Sequence, residues 1–561
     1  MDLGGLIGPL SPQPQACPHP ARYFRDLIMP GSTFAPFRYN TYRNLWFASL
    51  VTNLGGMIQN VGAGWLMTSL SDNPAMVALV QGSVTLPMAV LSLLGGVFAD
   101  NYHRRSVMIA AQAFMLVMSA LLAVLSWTGL IGPWSLLAFT FAIGCGAAMH
   151  MPSWQASVGD LVPREHLAQA VMLNGMGFNL MRSTGPAVGG MIVAVFGSAM
   201  AFAINALTYL PVLFALYAWR AERVPDPLPR EPLGGALRAG LRYVSLSADH
   251  LKILVRAGVF GFSAVAVLAL MPLVASDLLK GSAATFGALL AAFGLGAVVV
   301  ALTLRQLRER METETIVRIG AILLALGLLG IGHARSVWLT SLSAALCGMA
   351  WQSSMALFNV ATQLSTPRWV LGRVMSVLQV CTFGGMTIGS YVWGRVAGAA
   401  GVQTALTAAA VICLAGAALG FLLRLPGEGR SNLDPHGGFS PIKPALDIDM
   451  HSGPIKVSVE FIVPEARTSE FLALMEQRRV IRLRDGAHSW SLYRDLTAPD
   501  LWHESYRVPT WAAYLRHMSR RTTTDAENFK HLIALHAGAE PPRARRWIER
   551  PADPDHLHDR R

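Results

Sequence analysis

Apolar residues along this chain gather into long blocks separated by short polar stretches. The blocks centre on residues 45–70, 76–98, 106–128, 134–157, 168–195, 199–220, 252–276, 281–304, 316–334, 336–362, 373–397 and 402–424, twelve in all. Most match the roughly 20 residues that a helix needs to cross a hydrocarbon core. Ser106–Gly132 and Gly281–Leu304 contain no charged residue. In lipid a lone segment can satisfy its backbone only as a helix. The pattern therefore predicts an all-α membrane protein of twelve spans. Beyond Arg424 the period changes. Val457, Val459, Phe461 and Val463 alternate along Ile455–Val463, as in a half-buried strand. Glu465–Leu483 has helical spacing through Phe471, Leu474 and Met475. His488–Leu496 and Leu501–Val508 read as strands, Trp511–Met518 and Glu527–Leu535 as helices, and a closing strand is expected near Trp547. That order predicts a small α+β domain of ferredoxin-like type.

The loops set the expected orientation. Arg38 and Arg43 precede the first block. Arg104–Arg105, Arg164, Arg220–Arg242, Arg305–Arg310, Arg368–Arg373 and Arg424–Arg430 follow blocks two, four, six, eight, ten and twelve. On the other side Trp127–Trp134 and Gly197–Met200 carry no charge, and Lys280, Arg335 and Arg395 are isolated. The positive-inside bias places both termini in the cytoplasm of a multi-pass protein of the cell inner membrane. The longest internal loop divides the chain. The expected units are a disordered extension (1–34), a six-helix bundle (35–220), a cytoplasmic linker (221–250), a second six-helix bundle (251–425), a Gly/Pro linker (426–453) and the soluble domain (454–550). Residues before Met29 read as an over-extended start and not as a signal peptide. Leu233, Leu237, Leu241 and Val244 predict a short amphipathic helix in the first linker, lying at the cytoplasmic surface. The bundles repeat each other: Pro163-Arg164 matches Pro367-Arg368, and the Gly185–Gly190 run matches Gly389–Gly394. Both pairs share an offset of 204, as 367 − 163 and 389 − 185.

Composition agrees with a membrane protein. Of 561 residues 53% are hydrophobic and 14% charged, and the mean hydropathy is +0.42. The net charge of +12 sits mainly in loops and in the tail around Arg543–Trp547, so a nucleic-acid partner is not expected. Five cysteines without CxxC spacing signal neither zinc nor disulfides. No metal and no cofactor are expected.

The loop after block two reads Gly96-Val97-Phe98-Ala99-Asp100-Asn101-Tyr102-His103-Arg104-Arg105. It resembles the G-x-L-A-D-x-x-G-R-[RK] signature of the major facilitator superfamily, departing from it at Phe98 and His103. The resemblance implies two six-helix repeats and a gate formed by Gly96, Asp100, Arg104 and Arg105, with Arg308 as the repeat-equivalent of Arg104; a purely topogenic basic loop is the alternative. Gly185-Pro186-Ala187-Val188-Gly189-Gly190 resembles the antiporter motif of exporting members. Pro186 bends a helix, and Gly185, Gly189 and Gly190 permit close packing. The stretch from Gln155 to Gly190 and the run Gly372–Ser376 look like the transmembrane secretion effector group.

Arg182 lies about 14 residues into block five, hence roughly 20 Å deep. It is expected to face a cavity; snorkelling is the alternative. Gln59, His150, Asn205, Gln352 and Asn359, with Trp65 and Asn174, are further candidates to line it, though each could equally serve helix packing. No carboxylate is read at mid-span: Asp100, Asp160, Asp277 and Glu309 sit at ends or in loops. Proton coupling is therefore implied only by the resemblance. The tail resembles the small dimeric barrels of the antibiotic-monooxygenase type, which implies dimerisation. His488, His503 and His517 read as scattered surface histidines; a ligand pocket marked by them and Trp490 is the alternative. The expected function is a secondary transporter, a proton-coupled exporter of a small molecule by alternating access. The alternative is a membrane sensor on the same fold. An enzyme is not expected.

Overall fold

The computed structural model describes residues 34–101, 103–219, 233–427, 433 and 444–550, and within these the side chains of 93–101, 164, 233, 236 and 237 are not described. The expected disorder before Met29 lies outside the described residues.

Spans one to four are Asn40–Leu70, Pro74–Asn101, Arg104–Trp127 and Pro133–Leu161. Spans five and six share the 52-residue element Leu167–Ala218, divided at Gly197 (φ 81°). A left-handed backbone there favours glycine and reverses the chain. Spans seven to twelve are Ala248–Leu273, Ala283–Arg310, Thr313–His333, Val337–Leu364, Leu371–Ala400 and Val402–Leu422. Nine helices among the described residues are long and apolar enough to cross a membrane. One of them is the divided element, which counts twice. Spans one and ten, at 31 and 28 residues, complete the twelve. They fall outside the apolar set because they carry amides, Asn53, Gln59 and Asn60 in one and Gln352 and Asn359 in the other.

The repeat offset reappears in the packing. A Cβ on Gly185 would lie 2.6 Å from Met57 of span one, and one on Gly389 would lie 2.4 Å from the Phe262 carbonyl of span seven. Span five is thus seated on span one as span eleven is on span seven.

The linker helix Leu233–Ser245 packs on protein. Ala239, Tyr243 and Val244 are buried, and Gly240 abuts Arg373 at the start of span eleven. Its buried side is covered by spans seven and eleven, while Leu241 stays exposed.

The C-terminal domain has four antiparallel strands, β1 Ile455–Ile462, β2 His488–Arg494, β3 Leu501–Val508 and β4 Ala544–Ile548, in the order β2-β3-β1-β4. Val459 faces Glu504 across β1 and β3, and Val457 faces Arg546 across β1 and β4. Val457, Val459, Phe461 and Val463 are buried, as their alternation predicts. The helices Thr468–Arg484, Trp511–Ser519 and Thr523–Leu535 supply the rest of this α+β unit. Inside it Glu504 is fully buried. It accepts from Arg478 Nε at 2.8 Å, Arg482 Nε at 3.2 Å and Trp490 Nε1 at 3.2 Å. Burial alone would raise its carboxyl, but the two guanidiniums outweigh it and hold the group near about 2. His517 is also buried, which corrects its reading as a surface histidine. The domain rests on the transporter half: the Arg484 guanidinium lies 5.6 Å from the Tyr243 ring of the linker helix, and that of Arg520 lies 4.1 Å from the Trp369 ring.

Candidate transport cavity

Between the two bundles lies a cavity of about 610 Å³, walled by spans from both. Its surface is mostly apolar, and Phe178, Phe286, Phe293, Trp351 and Phe383 stand on it beside Met57, Met88, Met115 and Met386. Amides and hydroxyls punctuate it, and among the described residues it contains one arginine and no carboxylate.

Most of the candidates read from the sequence meet here. Arg182, Gln59, His150, Asn205 and Asn359 all line the cavity. Gln352 does not. At 100° per residue a helix turns neighbours to different faces, and in span ten it is Trp351 that faces inward. Gln59 and Asn205 are also tied together. The Asn205 amide donates to Gln59 Oε1, and Ser119 Oγ donates to the same oxygen at 3.0 Å. This knot joins spans one, three and six, so the packing alternative holds for these two as well as the lining. The Gln112 amide nitrogen stands 3.4 and 3.3 Å from the two ring nitrogens of His150. Asn359 donates to its own helix at the Met355 carbonyl, 2.7 Å away. Trp65 stacks on Phe286 outside the lining, and Asn174 accepts from Tyr42.

The cavity is closed at the end away from the linker helix by backbone contact. Gly190 of span five meets Gly287 of span eight, and a Cβ on either would lie 2.7 Å from the other's Cα. A Cβ on Gly394 of span eleven would lie 2.8 Å from the Cα of Ala75 in span two. Gly190 and Gly394 differ by the same 204 positions, as 394 − 190. The two closures are therefore repeat-equivalents. Nearer the cavity Thr85 and Thr387 share a hydrogen bond of 2.9 Å across the halves. Gly189 abuts the Ile58 backbone, and Pro186 lines the cavity.

At the linker end, Gly96 and Asp100 close the helix of span two, but their side chains lie outside the described residues. Arg104 donates to Asp160 at 2.8 Å and to the Ala156 carbonyl at 2.9 Å. Arg105 donates to the carbonyls of Leu216 and Tyr217. All these partners belong to the first half. Arg308 sits in the last turn of span eight.

Sequence reasoning missed a charged cluster among the spans. Glu314, in the first turn of span nine, pairs with Arg256 of span seven and with Arg318 at 2.7 Å. The Leu425 backbone N–H donates to the same carboxylate at 3.0 Å, and Arg256 and Arg318 donate to carbonyls of Leu423 and Gly420. The knot fastens the end of span twelve to spans seven and nine. Starting block nine at residue 316 left Glu314 outside it. The signals were a charge four residues into block seven and the i, i+4 spacing of Glu314 and Arg318.

Known proteins place this architecture. Residues 31–552 match the family described as transmembrane secretion effector. The Staphyloferrin A transporter of Staphylococcus aureus is 22% identical over 336 residues, covering 59% of this chain and 84% of that protein. The Enterobactin exporter EntS of Citrobacter koseri is 30% identical over 357 residues, covering 61% and 82%. Among solved structures, an inward-facing, unoccupied bacterial homologue of the human lysosomal transporter Spinster superposes with a TM-score of 0.57 at 15% identity, covering 69% of this chain and 97% of that one. The POT family transporter PepTSo gives 0.58 at 14% identity, covering 69% of this chain and 97% of that one; both show the fold. With twelve spans in two repeats around a cavity and a family match across most of its length, the chain belongs to the transmembrane secretion effector family of the major facilitator superfamily.

Proposed function

We propose that this membrane transporter of small molecules works as an exporter, moving its cargo out of the cytoplasm in exchange for protons by alternating access. The observation that carries the reading is a cavity walled by both repeats and sealed at one end by repeat-equivalent glycine contacts. A transporter needs such a seal on one side at a time, and rocking the halves would exchange it. The arginine-rich loops support a cytoplasmic position for the linker helix, both termini and the C-terminal domain, at the inner membrane. The sealed end is then periplasmic, and the structure is inward-facing. The outward-facing state would close instead at the linker end, where Gly96, Asp100, Arg104, Arg105 and Arg308 form the gate.

The names of the relatives support siderophores as the cargo class. The C-terminal sheet offers an outer face with Lys456, Glu460, Tyr493 and His503 on it, through which two copies would pair. The reading is tested with enterobactin in a bacterial strain that lacks its own enterobactin exporter. Expression should restore secretion, a protonophore should abolish it, and Asp100→Asn should abolish it with normal membrane insertion. Secretion insensitive to the protonophore would remove proton coupling, and increased cell accumulation would reverse the direction.

A further inference from the structure

Arg182 brings a positive charge into the cavity, and among the described residues no acidic side chain pairs with it. Among the described residues its guanidinium touches two aromatic faces, Phe293 at 5.3 Å and Trp351 at 5.5 Å from the ring centroids. The cavity lining contains no Asp or Glu. Removing a cation from water without a counter-ion is costly, and ring quadrupoles offset only part of that cost. Aromatic faces attract the charge but offer no oxygen or nitrogen acceptor to its five N–H donors. The aromatic pair therefore holds the group and leaves those donors for something else. A planar anion with two oxygens fits them in a fork geometry.

The holding pair comes from the opposite half. Arg182 is on span five, while Phe293 and Trp351 are on spans eight and ten, 5.9 Å apart and edge to face. Glycines make their approach possible. A Cβ on Gly294 would lie 2.5 Å from the Ser183 Cα, and one on Gly348 would lie 1.8 Å from the Phe293 carbonyl. The same cavity also carries the apolar rings of Phe178, Phe286 and Phe383. Such rings select a flat hydrophobic body and the guanidinium selects a negative group on it.

We propose that Arg182 is the anion-binding residue of the cavity, that Phe293 and Trp351 are positioning residues lent by the other half, and that the cargo carries an aromatic acid group, a carboxylate or an acidic phenol. This rests on reading the cavity as the cargo site. It also means that the binding site is complete only while the halves meet at this level.

The test uses full-length protein in detergent micelles and equilibrium dialysis with two probes of one shape, 1-naphthoate and the uncharged 1-naphthalenemethanol. The wild type should bind the acid at least tenfold more tightly than the alcohol. Arg182→Gln should weaken the acid at least tenfold and leave the alcohol unchanged, which also shows that the variant is folded. Arg182→Lys should fall between, since charge remains and the fork is lost. Trp351→Leu should weaken the acid several-fold, and Trp351→Phe should restore it. If Arg182→Gln binds the acid like the wild type, the cavity remains a cargo site and the assignment of Arg182 is overturned. If both probes weaken equally, Arg182 is structural and the proposal falls. If neither probe binds the wild type, the proposal falls together with the cavity reading.

Discussion

Adding one methyl group at the seal should tip the transporter toward its other state. In Gly287→Ala the new Cβ would lie 2.7 Å from the Gly190 Cα and 2.7 Å from the Pro186 carbonyl oxygen. Carbon atoms in contact sit at about 3.5–4.0 Å, so spans five and eight must separate by roughly 1 Å. Neither obstacle is a side-chain tip that could swing away; both are backbone. Overpacking of this kind costs about 1–3 kcal/mol. Here the strain burdens only the conformation in which the seal is closed. Converted at about 1.4 kcal/mol per tenfold, that is roughly a 5- to 150-fold shift toward the open seal. Val77 lines the cavity near the sealed end of span two. A cysteine placed there in an otherwise cysteine-free protein should react faster with an impermeant maleimide added from the periplasm when Gly287→Ala is present. Gly394→Ala, whose Cβ would meet Ala75 at 2.8 Å, should act the same way, and Gly384→Ala, with nothing within 4 Å, should not. Unchanged labelling in the two seal variants, with normal insertion, would refute the assignment of these glycines as the closure.

Topology is checked by single cysteines: Gly129→Cys should label from the periplasm and Arg238→Cys should not, and labelling of both from outside would overturn the orientation. Glu314→Gln should lower the thermal midpoint of the purified protein, because it leaves Arg256 buried beside a neutral amide, at a cost of about 3–5 kcal/mol; an unchanged midpoint would show the knot to be dispensable. The C-terminal domain should lose stability in acid. Burial, reinforced by the Arg482 charge, pushes the His517 imidazole well below its usual value, so the unfolded chain binds the proton more readily and stability falls as pH drops below about 6.5. Hydrogen exchange of the full-length protein, corrected for intrinsic rates, should show β3 protection decreasing from pH 7.5 to 5.5, and His517→Gln should flatten that dependence. Docking of this domain is tested by Trp369→Ala, which removes the ring beneath Arg520; a bismaleimide cross-link between cysteines at positions 242 and 486, where the tip of the Arg242 side chain reaches Gly486, should then form more slowly, and an unchanged rate would place the docking energy elsewhere.

What the sequence determined on its own was whatever depends on solvent. Lipid and water each impose a local requirement on every segment, and that requirement is written residue by residue. Hence the apolar blocks, the alternation along β1 and the gaps between them foretold twelve spans and a small α+β domain. The duplication was legible for a related reason: two copies of one pattern keep the same glycines at the same offset, since the same close approaches recur. The positions of charges relative to one another were not legible. Arg256 and Glu314 are 58 residues apart in the chain, and only the packing of spans seven, nine and twelve makes them one knot. His517 looked like a surface residue because its burial depends on Arg482 and Glu504, contributed by other elements. At the cavity, depth along span five pointed to Arg182, but its partners lie on spans eight and ten of the opposite repeat. The rotation that turns Trp351 and not Gln352 inward is a one-residue matter, below the resolution of an apolar block. Solvent preference acts on each segment alone, whereas a site is made of side chains from distant segments, and their meeting is decided only when the helices pack.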